Sequence, residues 1–223
     1  MFFNIYRDLA SLCFYPKKKK EKNKLMIAGV CPAYLPSIRY MAWMAAQNEV
    51  AFVKTNNYQK QTYRNRTEIY GPNGKLKLTI PILHKKNQKH QLDSEVEIFQ
   101  ESSWQKNHWK SLESSYRSSP FFEFYEDDLY PFFHQRQRRL MDLNISLIKK
   151  IFSLIDIEIV IKNTKEIYEF PELLDAKKKS VYKTPIYNQV FNSKHGYINN
   201  LSILDLIFNL GPDSNFYLKK IKL

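Results

Sequence analysis

Hydrophobic and polar positions follow two different periods along this chain, and the change falls near residue 102. Upstream, short apolar runs and two-residue alternation predict strands. Leu25 to Cys31 is apolar, brief and ended by Pro32, which reads as a buried strand. Ser37 to Gln47 places Ile38, Met41, Met44 and Ala45 on one helical face, with Pro36 or Ser37 opening the helix. Val50 to Lys54 reads as a second strand. Strand, helix and strand make a βαβ unit, and ligands gather beyond the carboxyl ends of such strands. Pro32, Ala33 and Tyr34 are thereby expected at a ligand-facing edge. Gly71-Pro72-Asn73-Gly74 is a turn signal that joins Arg66–Tyr70 to Lys75–Leu83. In the second arm Leu76, Leu78 and Ile80 alternate with Lys75, Lys77 and Thr79, so one face is buried. A polar loop over 84–94 and a strand over Glu95–Phe99 complete this half.

Downstream the period lengthens. Ser103 to Tyr116 predicts a helix with Trp104, His108, Leu112 and Ser115 in line, stopped by Pro120. A short helix covers Phe121 to Tyr130. A longer one runs from Gln137 to Leu154, with Leu140, Leu143, Leu147, Ile151 and Leu154 on its apolar face. Ile157 to Ile161 reads as a strand and 163–185 as loop. His195 and Gly196 read as a turn. Ser202 to Asn209 reads as a helix, with Ser202 and Asp205 as loose capping residues and Gly211-Pro212 as the stop. The fold class is α/β: an N-terminal βαβ unit and a hairpin in a mixed sheet, with a largely helical second half. One domain is expected over 26–223. Residues 1–25 read as a disordered basic tail, or as an extension from an upstream start codon with the functional chain beginning at Met26; an interfacial anchor with a polybasic flank is the other reading.

Composition narrows the chemistry. Among 223 residues there are 5 Gly, and none of them fits G-x-G-x-x-G or G-x-x-x-x-G-K, so neither common phosphate-binding loop is present as a motif. Cys13 and Cys31 are too few for a disulfide framework or a cysteine zinc site, and suit a reducing compartment. The formal net charge is +13, but seven Lys/Arg and two acids in residues 1–25 account for +5, leaving +8 for the body. The remaining basic runs, Lys85-Lys86, Lys177-Lys178-Lys179 and Lys219-Lys220 with Lys222, are scattered over expected loops and the C-terminus. A nucleic-acid partner is not expected from that distribution. No apolar run reaches membrane-spanning length, and a cytoplasmic protein is expected.

Four segments concentrate side chains able to bind or react. Pro32-Ala-Tyr-Leu-Pro36 stiffens a strand end and offers Tyr34. Tyr58 to Arg66 holds Lys60, Tyr63, Arg64, Asn65 and Arg66. Guanidinium forks grip phosphate or carboxylate, and an extended chain would point Arg64 and Arg66 together with Asn65 opposite. Trp104 to Tyr116 carries His108, a candidate general acid or base, with Trp109 and Tyr116 beside it. No second histidine stands four residues from His108, so no helical zinc pair forms, and no metal site is expected. Phe191 to Asp205 lacks a G-x-S-x-G elbow, which leaves Ser202 and Asp205 with structural roles. Glu126-Asp127-Asp128 reads as a solvated face.

The order of these segments resembles the WbqC-like family of bacterial proteins. Its opening loop is Q-P-Y-hydrophobic-P; here Cys31-Pro32-Ala33-Tyr34-Leu35-Pro36 stands in that place. Its K-x-x-W/Y-x-N-R is similar to Lys60-Gln61-Thr62-Tyr63-Arg64-Asn65-Arg66, and its L-x-hydrophobic-P to Leu78-Thr79-Ile80-Pro81. The aromatic helix ending in A-P-F/Y resembles Trp104–Tyr116 with Ser119-Pro120-Phe121. The terminal L-S-hydrophobic-hydrophobic-D resembles Leu201–Asp205. The likeness spans roughly 26–218. Cys31 replaces the usual glutamine, Lys54-Thr55-Asn56-Asn57 replaces a stretch that is acidic in many members, and the insert before Leu201 is short. The resemblance implies a cytoplasmic transferase of surface-polysaccharide (O-antigen-type) biosynthesis. It would act on a nucleotide sugar or glycan intermediate, with aminoacyl transfer to a sugar as one form of the reaction, and the resemblance names no cofactor. Under that reading His108 and Asn65 are the catalytic candidates, and Tyr34, Lys60, Tyr63, Arg64, Arg66, Trp109 and Tyr116 bind substrate. The alternative is a non-catalytic cytoplasmic protein that binds a phosphorylated or carboxylated small ligand.

Overall fold

The computed structural model describes residues 27–47, 49–83, 91–162, 167–169, 174, 176 and 183–222. The expected N-terminal tail, Lys85-Lys86 and Lys177-Lys178-Lys179 lie outside the described residues.

The architecture is α/β. Strand β1 (Ile27–Val30), helix α1 (Ile38–Ala45) and strand β2 (Glu49–Phe52) form the expected βαβ unit. β1 and β2 pair in parallel, with Ala28 opposite Val50 and Val30 opposite Phe52. Ser37 caps α1 by accepting a bond from the Tyr40 amide at 3.3 Å, and the apolar stripe Ile38, Met41, Met44 is fully buried. Strands β3 (Arg66–Gly71) and β4 (Gly74–Thr79) make the hairpin, whose tight turn is permitted by Gly74 at φ +98°.

Helices α2 (Trp104–Tyr116), α3 (Phe122–His134) and α4 (Leu140–Leu154) supply most of the second half. α3 continues four residues past the expected Tyr130 and includes Pro131. The bond lost at Pro131 falls in the last turn, and the extension buries Phe133 against Trp109, with ring centres 5.4 Å apart. Strands β5 (Val160–Lys162) and β6 (Ile167–Glu169) follow. They are succeeded by short α5 (Asn192–His195), then α6 (Ile203–Leu210) and α7 (Ser214–Lys220). Gly211, at φ +56°, separates the last two, and a Cβ there would sit 2.6 Å from the Phe121 ring.

Further points differ from expectation. The sheet is parallel in the order β5-β2-β1-β6, and the hairpin stands beside it as its own two-stranded sheet. The 163–185 stretch, expected as loop, contains β6, which pairs in parallel with β1; three residues in a polar context give no period, and the β1 edge supplies the pattern. Glu95–Phe99 is not a continuous strand. A short 3-10 turn at Asp93–Glu95 leads into single bridges, Ile82 to Ile98 and Glu97 to Arg139. Finally, Ser202 is the helix cap and Asp205 is not; its carboxylate is wholly buried.

β1 is flanked by β2 on one side and β6 on the other, so the chain reverses direction across the sheet at β1. The crevice beyond the carboxyl end of such a strand is where α/β sheets place ligands. The 31–37 loop leaves from that point. Among the described residues, no helix is long and apolar enough to cross a membrane.

Candidate functional site

The loop after β1 is buried from Cys31 to Pro36, held by four neighbouring residues. The Tyr34 amide donates to the Tyr63 carbonyl at 3.0 Å. Asn144 on α4 donates through Nδ2 to the carbonyls of Pro32 (3.1 Å) and Arg64 (2.7 Å). The Leu35 carbonyl accepts from Thr67 Oγ1 at 2.8 Å and Ser202 Oγ at 3.1 Å. Leu35 adopts φ +42° and is fully buried. A branched L-residue enters that region at a cost that its surroundings must offset, and two hydroxyls on one carbonyl do so. Gln61 also has positive φ, at 62°.

That kink at Gln61 undoes the expected alternation. Residues 61–65 are turn and bend apart from a single bridge residue at Thr62, and the strand starts only at Arg66. Arg64 is therefore not beside Arg66 on an exposed edge. It is 5% exposed and runs inward to Asp93, Nε to Oδ2 at 2.9 Å, with a second bond from Nη1 to Thr62 Oγ1 at 3.3 Å. Asp93 Oδ2 also accepts from the Cys31 thiol at 3.1 Å. Burial opposes the charge on Arg64, but Cys31 and Asp93 hold its pKa above the ordinary value. Burial also pushes the neighbouring Tyr58 phenol up, to about 12, against the pull of Arg64 and Arg66. Sequence reasoning missed Asp93, which lies in a polar stretch without a pattern.

Asn65 is clamped to the end of the hairpin: its carbonyl accepts from the Ile80 amide at 2.7 Å and its Nδ2 donates to the Ile80 carbonyl at 2.9 Å. Its Oδ1 has no partner among the described residues. Three more buried atoms in this region share that condition: Arg66 Nε, Asp93 Oδ1 and Asn144 Oδ1. Asp93 and Asn144 both bind Arg64, and they bind the adjacent residues Cys31 and Pro32. The unmet atoms thus surround one short stretch of chain.

His108 reaches the same loop from α2. Tyr34 Oη and His108 Nδ1 are 2.8 Å apart, and a backbone hydrogen bond with Thr79 favours the charged ring. Which of Tyr34 and His108 donates follows the ring's tautomer. Burial nevertheless lowers its pKa to about 4, and burial raises that of Tyr34 well above 10. At neutral pH the pair is an uncharged donor and acceptor, edge-on to Trp104.

The other expected site residues lie elsewhere. Lys60 is exposed on the surface. Trp109 faces away from His108 and packs among Phe122, Phe133 and Tyr130. Tyr116 belongs to a second polar cluster. Its hydroxyl accepts from the Tyr70 amide at 3.0 Å and donates to Asp205 Oδ1 at 3.0 Å. Asp205 Oδ2 accepts from Gln189 Nε2 at 2.8 Å and from the Tyr187 hydroxyl. Burial raises the Asp205 pKa, opposed by the bonds from Tyr187, Gln189 and Tyr116. An acid inside Ile-Leu-Asp-Leu-Ile-Phe, a segment apolar all round, is the signal that could have found it. Among the described residues, no three His, Cys, Asp or Glu side chains are grouped to hold a metal ion.

Comparison with known proteins places this arrangement. The uncharacterized protein Rv1507c of Mycobacterium tuberculosis is 25% identical over 230 residues, covering 86% of this chain and 97% of the relative. No solved structure matches significantly. The model of the WbqC-like protein family matches residues 31–183, from the Cys31 loop through the Arg64 cluster and α4, and the chain belongs to that family.

Proposed function

We propose that the chain is a transferase of surface-polysaccharide biosynthesis that holds a nucleotide sugar or anionic glycan intermediate against the Arg64–Asn65–Arg66 turn. One observation carries the reading: Arg66 Nε and Asn65 Oδ1, on adjacent residues, are buried without partners among the described residues. Unmet buried polar groups are few in native proteins and each calls for a ligand, a water or strain to explain it. Their place supports the reading, since they lie where the loop after β1 meets the hairpin. Arg66 would bind phosphate or carboxylate and Asn65 Oδ1 would accept a donor group of the substrate. Arg64 and Asp93 would set the field beneath them. His108, neutral and engaged at both ring nitrogens, would position Tyr34 and the loop. Aminoacyl transfer to a sugar is the finer form of this function.

The experiment is a thermal-shift series with UDP-N-acetylglucosamine, inorganic phosphate and an aminoacyl thioester. Stabilisation of the wild type by the nucleotide sugar, lost in Arg66→Ala, is expected; a wild type unmoved by every probe sinks the proposal. The state of His108 favours a second reading, binding without chemistry. Single-turnover assays separate the two: bound ligand with no product selects the second.

A further inference from the structure

A cavity of about 710 Å³ lies between the end of α2, the 186–190 segment, α6 and α7. That volume is in the range of small-molecule sites. It shares no lining residue with the Arg64 cluster, so its ligand is independent of the transferase reading. The floor is rigid. Tyr187 and Gln189 are buried there and both are tied to Asp205. Gln189 is saturated, since Nε2 also donates to the Ile198 carbonyl at 3.0 Å and Oε1 accepts from the Ile198 amide at 2.9 Å. Tyr187 and Tyr217 meet edge to face at 5.3 Å. Site rigidity of this kind lowers the entropy lost on binding.

The walls have a particular chemistry. Among the described residues, no Lys, Arg, His, Asp or Glu lines the cavity. Burial raises the pKa of both tyrosines, so they too are uncharged at neutral pH. An anion entering would surrender its hydration with no cation to replace it. Three groups remain able to bond a visitor: the Asn188 amide, the Ser118 hydroxyl and Asn209 Oδ1, whose amide nitrogen is already spent on the Asp205 carbonyl at 2.7 Å. Between them lie apolar surfaces of Pro120, Val190 and Leu210, and Ile186 stands 77% exposed at the rim. Amides and hydroxyls alternating with apolar patches fit a molecule that has a hydroxyl edge and C–H faces.

We infer that this cavity binds an uncharged saccharide. Saturation-transfer NMR on the full chain tests it with glucose, N-acetylglucosamine and maltose, set against glucuronic acid and glucose 6-phosphate. The neutral sugars bind, and the charged ones bind about tenfold more weakly or not at all. The double variant Asn188→Ala/Asn209→Ala loses about tenfold in affinity, and Ile186→Glu weakens binding while its thermal midpoint stays at the wild-type value. Arg66→Ala leaves neutral-sugar binding unchanged, so this inference and the transferase reading fail separately. Silence from all neutral sugars overturns the inference. So does equal binding of charged and neutral sugars, insensitivity to the asparagine pair, or loss of binding in Arg66→Ala.

Discussion

Two buried polar clusters are built into this protein, and they are satisfied to different degrees. Around Asp205, both carboxylate oxygens, two tyrosine hydroxyls and the Gln189 amide all find partners. Around Arg64, four buried atoms on Arg66, Asn65, Asp93 and Asn144 find none. A complete network contributes to stability and specifies one arrangement of the elements it joins. Asp205 does this for β3, α2, α6 and the 187–189 segment. An incomplete network costs free energy in the unliganded chain, and proteins keep such sites where binding needs them. The contrast separates a cluster that organises the fold from one that awaits something.

Substitution breaks or sharpens this contrast. The largest effect is expected at the satisfied cluster. Asp205→Ala strands the Tyr116 and Tyr187 hydroxyls and the Gln189 amide, and destabilises by about 3–5 kcal/mol. A shifted denaturant midpoint at unchanged slope checks it; a loss below about 1 kcal/mol would erase the distinction between the clusters. Next comes pH. His108 has a folded pKa near 4 against 6.5, so between those values the unfolded chain binds more protons. Its contribution is present above pH 6.5 and lost as pH falls toward 4, amounting to roughly 3 kcal/mol. Asp205, raised by burial, slopes the opposite way from 3.8 upward. Comparing wild type with His108→Gln isolates the histidine: the variant's stability curve lacks the rise between pH 4 and 6.5. The smallest effect is at the unsatisfied cluster. Arg66→Met removes an orphaned donor and keeps the stem, so the unliganded chain holds or gains stability, within about 1 kcal/mol. A clear loss in calorimetry would mean that the guanidinium already has a structural role.

Much of the architecture is legible in the sequence because local signals agree with the tertiary outcome. Pro32 ends β1, Ser37 caps α1, Gly74 turns the hairpin, and the Leu143, Leu147, Ile151 stripe buries α4. Where a pattern is set by partners remote in the chain, legibility thins. β6 owes its strand character to β1. Asp93 becomes significant only because Arg64 turns inward, and Arg64 turns inward because Gln61 takes a positive φ that nothing in its residue type announces. The Arg64-Asn65-Arg66 segment is visibly dense in polar chemistry, yet an extended geometry would put Arg64 on an exposed edge, and in the fold it is buried against Asp93. Tyr116 and His108 share a helix and serve different clusters, a division that helical spacing alone does not reveal.

The clasp on Leu35 has a consequence for how the protein is made. The hydroxyl holding its carbonyl from Ser202 comes from 167 residues further along the chain. Neighbouring backbone bonds, Ile38 to Leu201 and Ile203 to Pro36, close the same seam. During synthesis the first loop of the site leaves the ribosome and waits, uncompleted, for the 167 residues that separate Leu35 from Ser202. A ribosome stalled, or a message cut, after codon 144 and before codon 201 yields a chain holding every side chain of the Arg64 cluster but lacking the seam that sets its opening loop. Shape at this site is granted only once Leu201, Ser202 and Ile203 have been made.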